Sequence, residues 1–205
     1  ASSATSPLKL IKFDRRALGA KDVAIQIRYA GICHSDIHTV HGDWGPVTYP
    51  LIVGHEIAGE VMAVGSSASK HDVGSRVGVG TMVDSCRHCA ECVRGWENYC
   101  ENGNTQTYGS KDRDGSITQG GYSKFVVVDE DYVLKIPTPI DLADAGPLLC
   151  AGIIGYRALR LALGSEGHAS AWPPADMVAQ KRNPPRLGLY GFGASAHIAI
   201  QIARH

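Results

Sequence analysis

The sequence has no excess of charge of either sign, no long apolar run and no leader-like N-terminus. Its 205 residues carry 20 Lys and Arg against 20 Asp and Glu. This balance argues against nucleic-acid and anionic-membrane partners, which favour a basic face. No apolar run approaches the roughly 18 residues of a membrane span, and residues 1–6 lack the charged and apolar regions of a secretory signal. We therefore expect a cytoplasmic protein.

Glycine and proline are abundant, with 24 and 10 residues, and indicate many turns and short strands. The length corresponds to one domain and part of a second, at about 150 residues per domain. The polar, glycine-rich residues 101–121 predict a surface loop. Apolar patterns predict strands at 23–29, 55–64, 76–79, 122–128 and 132–136. Up to about residue 137 the sequence therefore predicts an all-β domain.

The composition changes after this part. Residues 141–163 are rich in Ala and Leu and predict two helical stretches, interrupted near Gly146-Pro147 and Gly152. Residues 164–185 contain two proline pairs and no sustained period, which indicates a loop or insertion. The apolar run 187–190 then enters a glycine-rich turn and an apolar helix, so we predict a strand, a turn and a helix.

The most specific motif is a group of four cysteines within fifteen positions: Cys86, Cys89, Cys92 and Cys100. Three thiols at steps of three residues, with a fourth a short loop away, can surround one tetrahedral Zn²⁺. Four thiolates leave no open position for a substrate, so this site would be structural. The alternative is a set of redox-active or paired cysteines, as in a disulfide-rich secreted domain, which needs an oxidising compartment.

A second set of candidate ligands is dispersed: Cys33, His55 and Cys150. Each residue alone is more often a packed side chain than a ligand. Two thiolates and one imidazole would give zinc three protein ligands and one open position, which is typical of a catalytic site. From residue chemistry alone, a catalytic zinc site and ordinary packing are about equally supported.

The third motif, Gly191-x-Gly193-x-x-Ala196, lies between the predicted strand and helix. This context is typical of dinucleotide binding, with the pyrophosphate at the helix N-terminus, so Gly191, Gly193, Ala194 and Ser195 are candidate cofactor contacts. An ordinary glycine-rich turn is the alternative. The acidic residue expected roughly 20 residues later cannot be checked, because the sequence ends at His205.

Together these residues resemble those of the zinc-containing medium-chain alcohol dehydrogenases. Residues 54–65, GHEIAGEVMAVG, are similar to the zinc motif of that family. The segments CHSDIH, VDSCRHCAECVRGWENYC and QGGYSKFVVV resemble the cinnamyl-alcohol-dehydrogenase-like aldehyde reductases. The segments PLLCAGIIGYRALRLA and LGLYGFGASAH resemble another zinc-dependent branch. The resemblance covers residues 15–163 and 186–205.

The resemblance also implies roles for single residues. It implies that the dispersed set holds a catalytic zinc and that the four-cysteine group holds a structural zinc. It implies that Glu56 is a transient ligand of the catalytic zinc. Asp36 is implied to be the carboxylate that orients the ligand imidazole, with a strand-end cap as the alternative. Ser35 and His38 are implied to form a proton relay. Two further residues have open alternatives: His34 meets the cofactor pyrophosphate or is a surface residue, and Trp44 lines the substrate pocket or packs in the core.

The resemblance implies a β-rich GroES-like catalytic domain over residues 1–150. The connecting helix, the insertion and the first strand and helix of an α/β Rossmann domain would follow over 151–205. The implied activity is hydride transfer between a primary alcohol or aldehyde and NAD or NADP, in a homo-oligomer with two Zn²⁺ per chain. We expect a chain cut early in its cofactor domain and inactive by itself. A zinc-stabilised remnant or binding module without catalysis is the alternative.

Overall fold

The computed structural model describes residues 1–162 and 187–204, which fall into two compact units, Ala1–Leu149 and Cys150–His205. The loop or insertion predicted at 164–185 lies outside the described residues. The first unit contains seven β-strands with short helices between them, whereas the regular structure described in the second unit is helical.

Five strands of the first unit form one antiparallel sheet, and two form a smaller one. In chain order the strands are β1 (Asp22–Gly31), β2 (Glu56–Val64), β3 (Arg76–Val79), β4 (Met82–Asp84), β5 (Thr105–Gln106), β6 (Phe125–Asp129) and β7 (Leu134–Lys135). The larger sheet has the order β6-β1-β2-β3-β7, and β4 pairs with β5. The β-rich character predicted for this part of the chain is confirmed.

Branched aliphatic side chains on the larger sheet form the main core. Val23 and Ile25 of β1 are fully buried. Ile25 pairs with Val61 of β2 on one side and with Val126 of β6 on the other. Burying one such side chain stabilises the fold by about 1.5–3 kcal/mol. The period-two alternation that predicted β1 thus reflects one face of the strand packed into this core.

Two predicted strands are longer than the observed ones. The strand predicted over 122–128 begins only at Phe125. It starts later because the Tyr122 N–H donates to the carbonyl oxygen of Val53, outside the sheet. The run 132–136 is shortened because Asp129 caps a 3₁₀ turn at Glu130–Tyr132. The predicted loop 101–121 in turn contains a short strand, β5, that pairs with β4.

A helix that the sequence patterns do not predict, α1 (His34–His41), follows β1. Its first turn is held by Asp36, whose carboxylate accepts a hydrogen bond from the Cys33 N–H at 3.1 Å. Its last turn ends at Gly42, which has φ of 77° and donates to the carbonyl oxygen of Thr39. A left-handed residue at this position favours glycine. The caps therefore define both ends of α1.

The two helical stretches predicted at 141–163 are not separated. The segments α3 (Leu142–Pro147) and α4 (Ile153–Ala162) are joined by a π-helical turn over Leu148–Gly152. Proline removes a backbone donor and crowds the preceding turn, so the helix is wound more widely here without ending. The interruption predicted from Gly146-Pro147 and Gly152 is thus a change of winding.

One helical run among the described residues, Leu142–Arg160, is long and apolar enough to cross a membrane by length and composition. It has 19 residues and a mean hydropathy of 1.2, and 39% of it is buried. Charged residues such as Asp144 and Arg157 fall within it, so it is not an uninterrupted apolar run. Core helices of water-soluble proteins have the same composition, so this feature assigns no membrane role.

In the second unit, α4 contacts the last helix, α5 (Ala194–Ala203). Gly155 permits this contact, because a Cβ atom there would lie 3.1 Å from the Cβ atom of Ala199. The strand predicted at 187–190 is wrong: these residues have no regular structure. A strand needs a hydrogen-bonded neighbour, and the described residues of this unit contain none.

Candidate metal centres

The four cysteines of the predicted structural site converge in the first unit. Cys86 follows β4, Cys89 caps helix α2 (Ala90–Val93), and Cys92 lies within that helix. All four sulfur atoms, including that of Cys100, lie within 4.8 Å of one another, and the Cys86 and Cys92 sulfurs are 3.8 Å apart. Four Zn–S bonds of about 2.3 Å give a tetrahedron with edges of about 3.8 Å. The donor set fits a closed zinc site.

Backbone amides stabilise negative charge on these sulfurs. The Cys89 N–H donates to the Cys86 sulfur at 3.3 Å, and the Cys92 N–H donates to the Cys89 sulfur at 3.5 Å. Hydrogen bonds lower the pKa of Cys86 to about 5. The largest contribution comes from the Asn102 side chain and the next from the His88 backbone. A thiolate is the form that binds metal. None of the four cysteines of this group forms a disulfide bond, so the paired-cysteine alternative has no support here.

An ion-pair network connects the cysteine turn to the sheets. Arg87, which has φ of 65°, contacts Asp84 at the end of β4 and Asp129 at the end of β6, each at 3.0 Å. Its guanidinium also reaches Asp131 at 2.7 Å. Arg113 contacts Asp84 and lies 3.1 Å from Asp129. This network is not predictable from the sequence, because its members come from three separate segments of the chain.

Asp84→Asn is expected to lower the free energy of unfolding by about 1–3 kcal/mol at neutral pH. Breaking a buried pair costs about 3–5 kcal/mol, and solvent screens part of this because Arg87 is 33% and Arg113 47% exposed. Burial opposes ionisation of Asp84, but hydrogen bonds led by that from Arg113 hold its pKa below the usual 3.8.

Because the folded-state pKa of Asp84 is lowered, its contribution is complete above the unfolded pKa of about 3.9 and is lost as the pH falls through the folded value. The difference between the wild type and Asp84→Asn should therefore shrink below about pH 4. Urea unfolding across this range measures it, with Asp72→Asn at an exposed position as control. An equal difference at low and neutral pH would contradict the prediction.

A second group of ligand atoms lies where α1 and β2 begin. The Cys33 sulfur, a His55 ring nitrogen and a Glu56 carboxylate oxygen lie within 4.8 Å of one another, and His55 and Glu56 are buried. Gly31 makes room for them, since a Cβ atom there would lie 2.0 Å from Glu56 Oε2. Thiolate, imidazole and carboxylate are all zinc ligands, so this donor set also fits zinc. Cys150, buried, is the first residue of the second unit.

Asp36 fixes the orientation of His55. The His55 Nδ1–H donates to Asp36 Oδ1 at 3.0 Å, which leaves Nε2 available as a ligand. Burial would raise the pKa of Asp36, but hydrogen bonds from His55 and Tyr122 outweigh it and lower that pKa. Asp36 itself lies in the first turn of α1, and its carboxylate also accepts the Gly54 N–H at 3.0 Å, two residues before β2 begins.

The hydroxyl of Ser35 lies beside this group. Its oxygen is 3.5 Å from the Cys33 sulfur, and Ser35 and His55 both line a cavity of about 430 Å³. Trp44 and Tyr108 line the same cavity. The core-packing alternative for Trp44 is wrong, since its side chain is 67% exposed. The cavity therefore places a hydroxyl, an imidazole and an aromatic wall together.

His38 lies one turn after Ser35 on α1, at a spacing that puts both on one face. Its Nδ1 is 2.8 Å from Asp43 Oδ2, and its side chain is 43% exposed. The His38 ring also packs at 5.2 Å from that of Trp44. His34, the first residue of α1, is exposed. Asp43 follows α1 in a polar turn, and no sequence motif marks it as a partner of His38.

The glycine motif of the second unit forms the N-terminus of α5. Gly191 has φ of 85°, Gly193 is the residue before the helix, and Ala194 and Ser195 begin its first turn. Among the described residues no side chain caps this end, and none would lie within 4 Å of a Cβ atom at either glycine. Uncapped first-turn amides with open space in front of them fit an anionic group such as a pyrophosphate.

Comparisons with known proteins agree with this architecture. The alcohol dehydrogenase GroES-like domain model matches residues 19–138. NADP-dependent alcohol dehydrogenase C 1 of Mycolicibacterium smegmatis is 48% identical over 205 residues, which are 100% of this chain and 54% of that protein.

Two solved structures are also similar. One is CAD from Helicobacter pylori complexed with NADP(H), at 42% identity and a TM-score of 0.77, covering 79% of this chain and 47% of that one. The other is a cinnamyl alcohol dehydrogenase from Sorghum bicolor, at 35% identity and a TM-score of 0.85, covering 100% and 54%. The chain thus spans about half the length of these relatives. It belongs to the alcohol dehydrogenase family with a β-rich GroES-like domain, followed here by the start of an α/β Rossmann domain.

Proposed function

We propose that this chain provides the metal-holding catalytic part of a zinc-dependent alcohol dehydrogenase or aldehyde reductase that uses NAD or NADP. The observation that carries the proposal is the convergence of Cys33, His55 and Glu56 beside a cavity that Ser35 lines. The name of the Mycolicibacterium smegmatis relative supports the choice of reaction and of a nicotinamide cofactor.

Cys33, His55 and Cys150 would hold one zinc ion, with Glu56 as an exchangeable ligand. When bound, this zinc would supply a Lewis acid that favours an alkoxide over an alcohol, and the nicotinamide would supply the hydride chemistry. A second zinc in the four-cysteine group would only stabilise the fold, because its four ligands leave no open position.

The residues of the chain itself would orient the ligands and move the proton. Asp36 holds the His55 ring in the tautomer that presents Nε2. Ser35 Oγ would accept the hydroxyl proton of an alcohol in the cavity and give up its own proton in the same step, so that a proton moves towards His38. His38, half-exposed and held by Asp43, exchanges that proton with solvent. The opposite direction of transfer would serve aldehyde reduction.

Cofactor contacts are proposed at two places in the sequence. Gly191, Gly193, Ala194 and Ser195 would bind the pyrophosphate through the α5 N-terminus, and His34 would contact it from α1. We also propose a small-molecule substrate, a cytoplasmic location and a homo-oligomeric enzyme, without nucleic-acid or membrane partners.

A zinc-stabilised binding module without catalysis is the second candidate. It is favoured by the four-cysteine group, which as a closed site would stabilise the fold without taking part in a reaction. The two candidates differ in a simple assay, in which a form of the protein with a whole cofactor domain is mixed with NADPH or NADH and an aldehyde and the loss of reduced cofactor is followed. Turnover that disappears in His55→Ala supports the enzyme, whereas a zinc-loaded protein without turnover supports the module.

Metal analysis tests both candidate centres together. After exhaustive dialysis the protein is expected to retain about two zinc ions per chain, one for each ligand set. Emission spectrometry of protein whose concentration is known from amino-acid analysis measures this ratio. A ratio near one zinc ion per chain would contradict the proposed open site, and a ratio near zero would contradict both sites.

A further inference from the structure

Asp36 joins the two segments that carry the candidate ligands of the open site. Its Oδ2 accepts the Cys33 backbone N–H at 3.1 Å, and its Oδ1 accepts the His55 Nδ1–H at 3.0 Å. The Gly54 N–H donates to the same Oδ1 at 3.0 Å. The position of this one carboxylate therefore determines the position of both Cys33 and His55.

The fourth donor to Asp36 comes from a distant segment, just before β6. The Tyr122 hydroxyl donates to Asp36 Oδ2 at 2.7 Å, the shortest of the four contacts, and also lies 3.3 Å from the carbonyl oxygen of Gly31. Asp36 is only 2% exposed, so little water can replace a lost donor. Without the Tyr122 hydroxyl, Oδ2 would lose its shortest hydrogen bond, at the cost of an under-solvated buried charge.

The ring of Tyr122 also packs against the backbone that leads into His55. A Cβ atom on Gly54, which has φ of 107°, would lie 2.7 Å from the ring Cδ1 atom. The Tyr122 N–H donates to the carbonyl oxygen of Val53 at 3.0 Å. The ring and the hydroxyl of one residue therefore touch both the approach to His55 and the carboxylate that orients it.

We propose that Tyr122 is a positioning residue for the open metal site, acting through Asp36 on Cys33 and His55. The proposal rests on the proposed function, because it requires that these two residues bind a metal. It differs from a packing role in one respect. The contribution of the hydroxyl to metal binding must pass through Asp36, whereas a packing contribution would be independent of that carboxylate.

Tyr122→Phe removes the hydroxyl and keeps the ring contact with Gly54. The matched control is Tyr49→Phe. The hydroxyl of the half-buried Tyr49 donates at 2.6 Å to the carbonyl oxygen of Val40, which lies in α1 as Asp36 does, and it does not contact Asp36. Competition for Zn²⁺ between the full chain and a chromophoric chelator resolves the two zinc ions. Loss of a residue that hydrogen-bonds to a metal ligand weakens metal binding by about 10–100-fold. In Tyr122→Phe we expect the zinc of the open site, taken to be the more weakly bound of the two, to lose affinity by roughly tenfold.

The four-cysteine zinc serves as an internal control, and its affinity should be equal in the wild type, Tyr122→Phe and Tyr49→Phe. Asp36→Asn and the double variant then test the route of the effect. If Tyr122 acts through Asp36, Tyr122→Phe adds little to the loss already caused by Asp36→Asn. Additive losses of zinc affinity would overturn the proposal and assign Tyr122 a packing role.

If Tyr122→Phe does not fold, a variant that retains every hydrogen-bonding group can test the same proposal. Incorporating 3-fluorotyrosine at position 122 keeps the ring and makes the hydroxyl a stronger donor. The affinity of the weaker zinc should then change, while the same substitution at position 49 leaves it unchanged. An unchanged affinity at position 122 overturns the proposal.

The failure of the proposed function has a different signature. A wild-type chain that holds only the four-cysteine zinc overturns the proposed function, and this inference with it. Two zinc ions whose affinities are unchanged in Tyr122→Phe overturn the role of Tyr122 alone.

Discussion

Cys89→Ser is expected to release one zinc ion per chain and to unfold the segment between residues 86 and 100. Cys89 has two roles, since its sulfur is one of four convergent thiols and accepts the Cys92 N–H as the cap of α2. The buried cluster of this segment consists of cysteines. Zinc binding by such a site is itself folding free energy, about 10–16 kcal/mol in zinc-finger peptides.

The matched variant is Cys150→Ser, which removes one thiol of the proposed open site. It should lower zinc content by a similar amount but leave the 86–100 segment folded, because the four-cysteine group is intact. Thermal melts, metal analysis and limited proteolysis of the segment distinguish the two variants. If Cys150→Ser causes the greater loss of stability, the structural and catalytic roles assigned to the two sites are reversed.

Strands whose apolar residues alternate were predictable from the sequence, and strands defined by distant hydrogen bonds were not. In β1 the alternation of Val23 and Ile25 with polar residues is sufficient, because one face packs into the core. Helix α1 escaped prediction because its residues, HSDIHTVH, show no apolar period. Asp36 and Gly42 fix its ends through hydrogen bonds that propensity does not reveal.

In the candidate site, too, local features were predictable from the sequence and contacts between distant residues were not. Spacing along the chain predicted the four-cysteine group, because its members are local. The dispersed ligands needed the resemblance to a known family. Tyr122 lies 86 residues from Asp36, and its hydrogen bond depends on how β6 and α1 meet in space. No pattern along the chain indicates such a contact.

Ser35→Ala is expected to lower alcohol oxidation by about 10²–10⁴-fold in any form of the protein that oxidises alcohol. The proposed role of the hydroxyl is to accept the substrate proton in the cavity, and alanine cannot accept it. Zinc content should stay unchanged, because Ser35 lies 3.5 Å from the Cys33 sulfur without belonging to the ligand set. Steady-state turnover and metal analysis of the same samples measure both effects.

Thr39→Val provides the control for a lost hydroxyl in the same cavity. The Thr39 hydroxyl donates to the carbonyl oxygen of Ser35 at 2.9 Å and lines the cavity, but it has no part in the proposed proton path. Turnover of Thr39→Val should therefore remain close to that of the wild type. Equal losses in Ser35→Ala and Thr39→Val would show that cavity shape, and not proton transfer, limits the rate.

His38→Gln should have a smaller effect than Ser35→Ala. The His38 side chain is 43% exposed, so water and buffer can replace it at the solvent end of the path, whereas Ser35 contacts the enclosed end. The loss in His38→Gln should be largest with a poor buffer and should diminish when a small, good proton acceptor such as imidazole is added. A loss that imidazole does not diminish would mean that His38 acts by packing against Trp44 and not by carrying the proton.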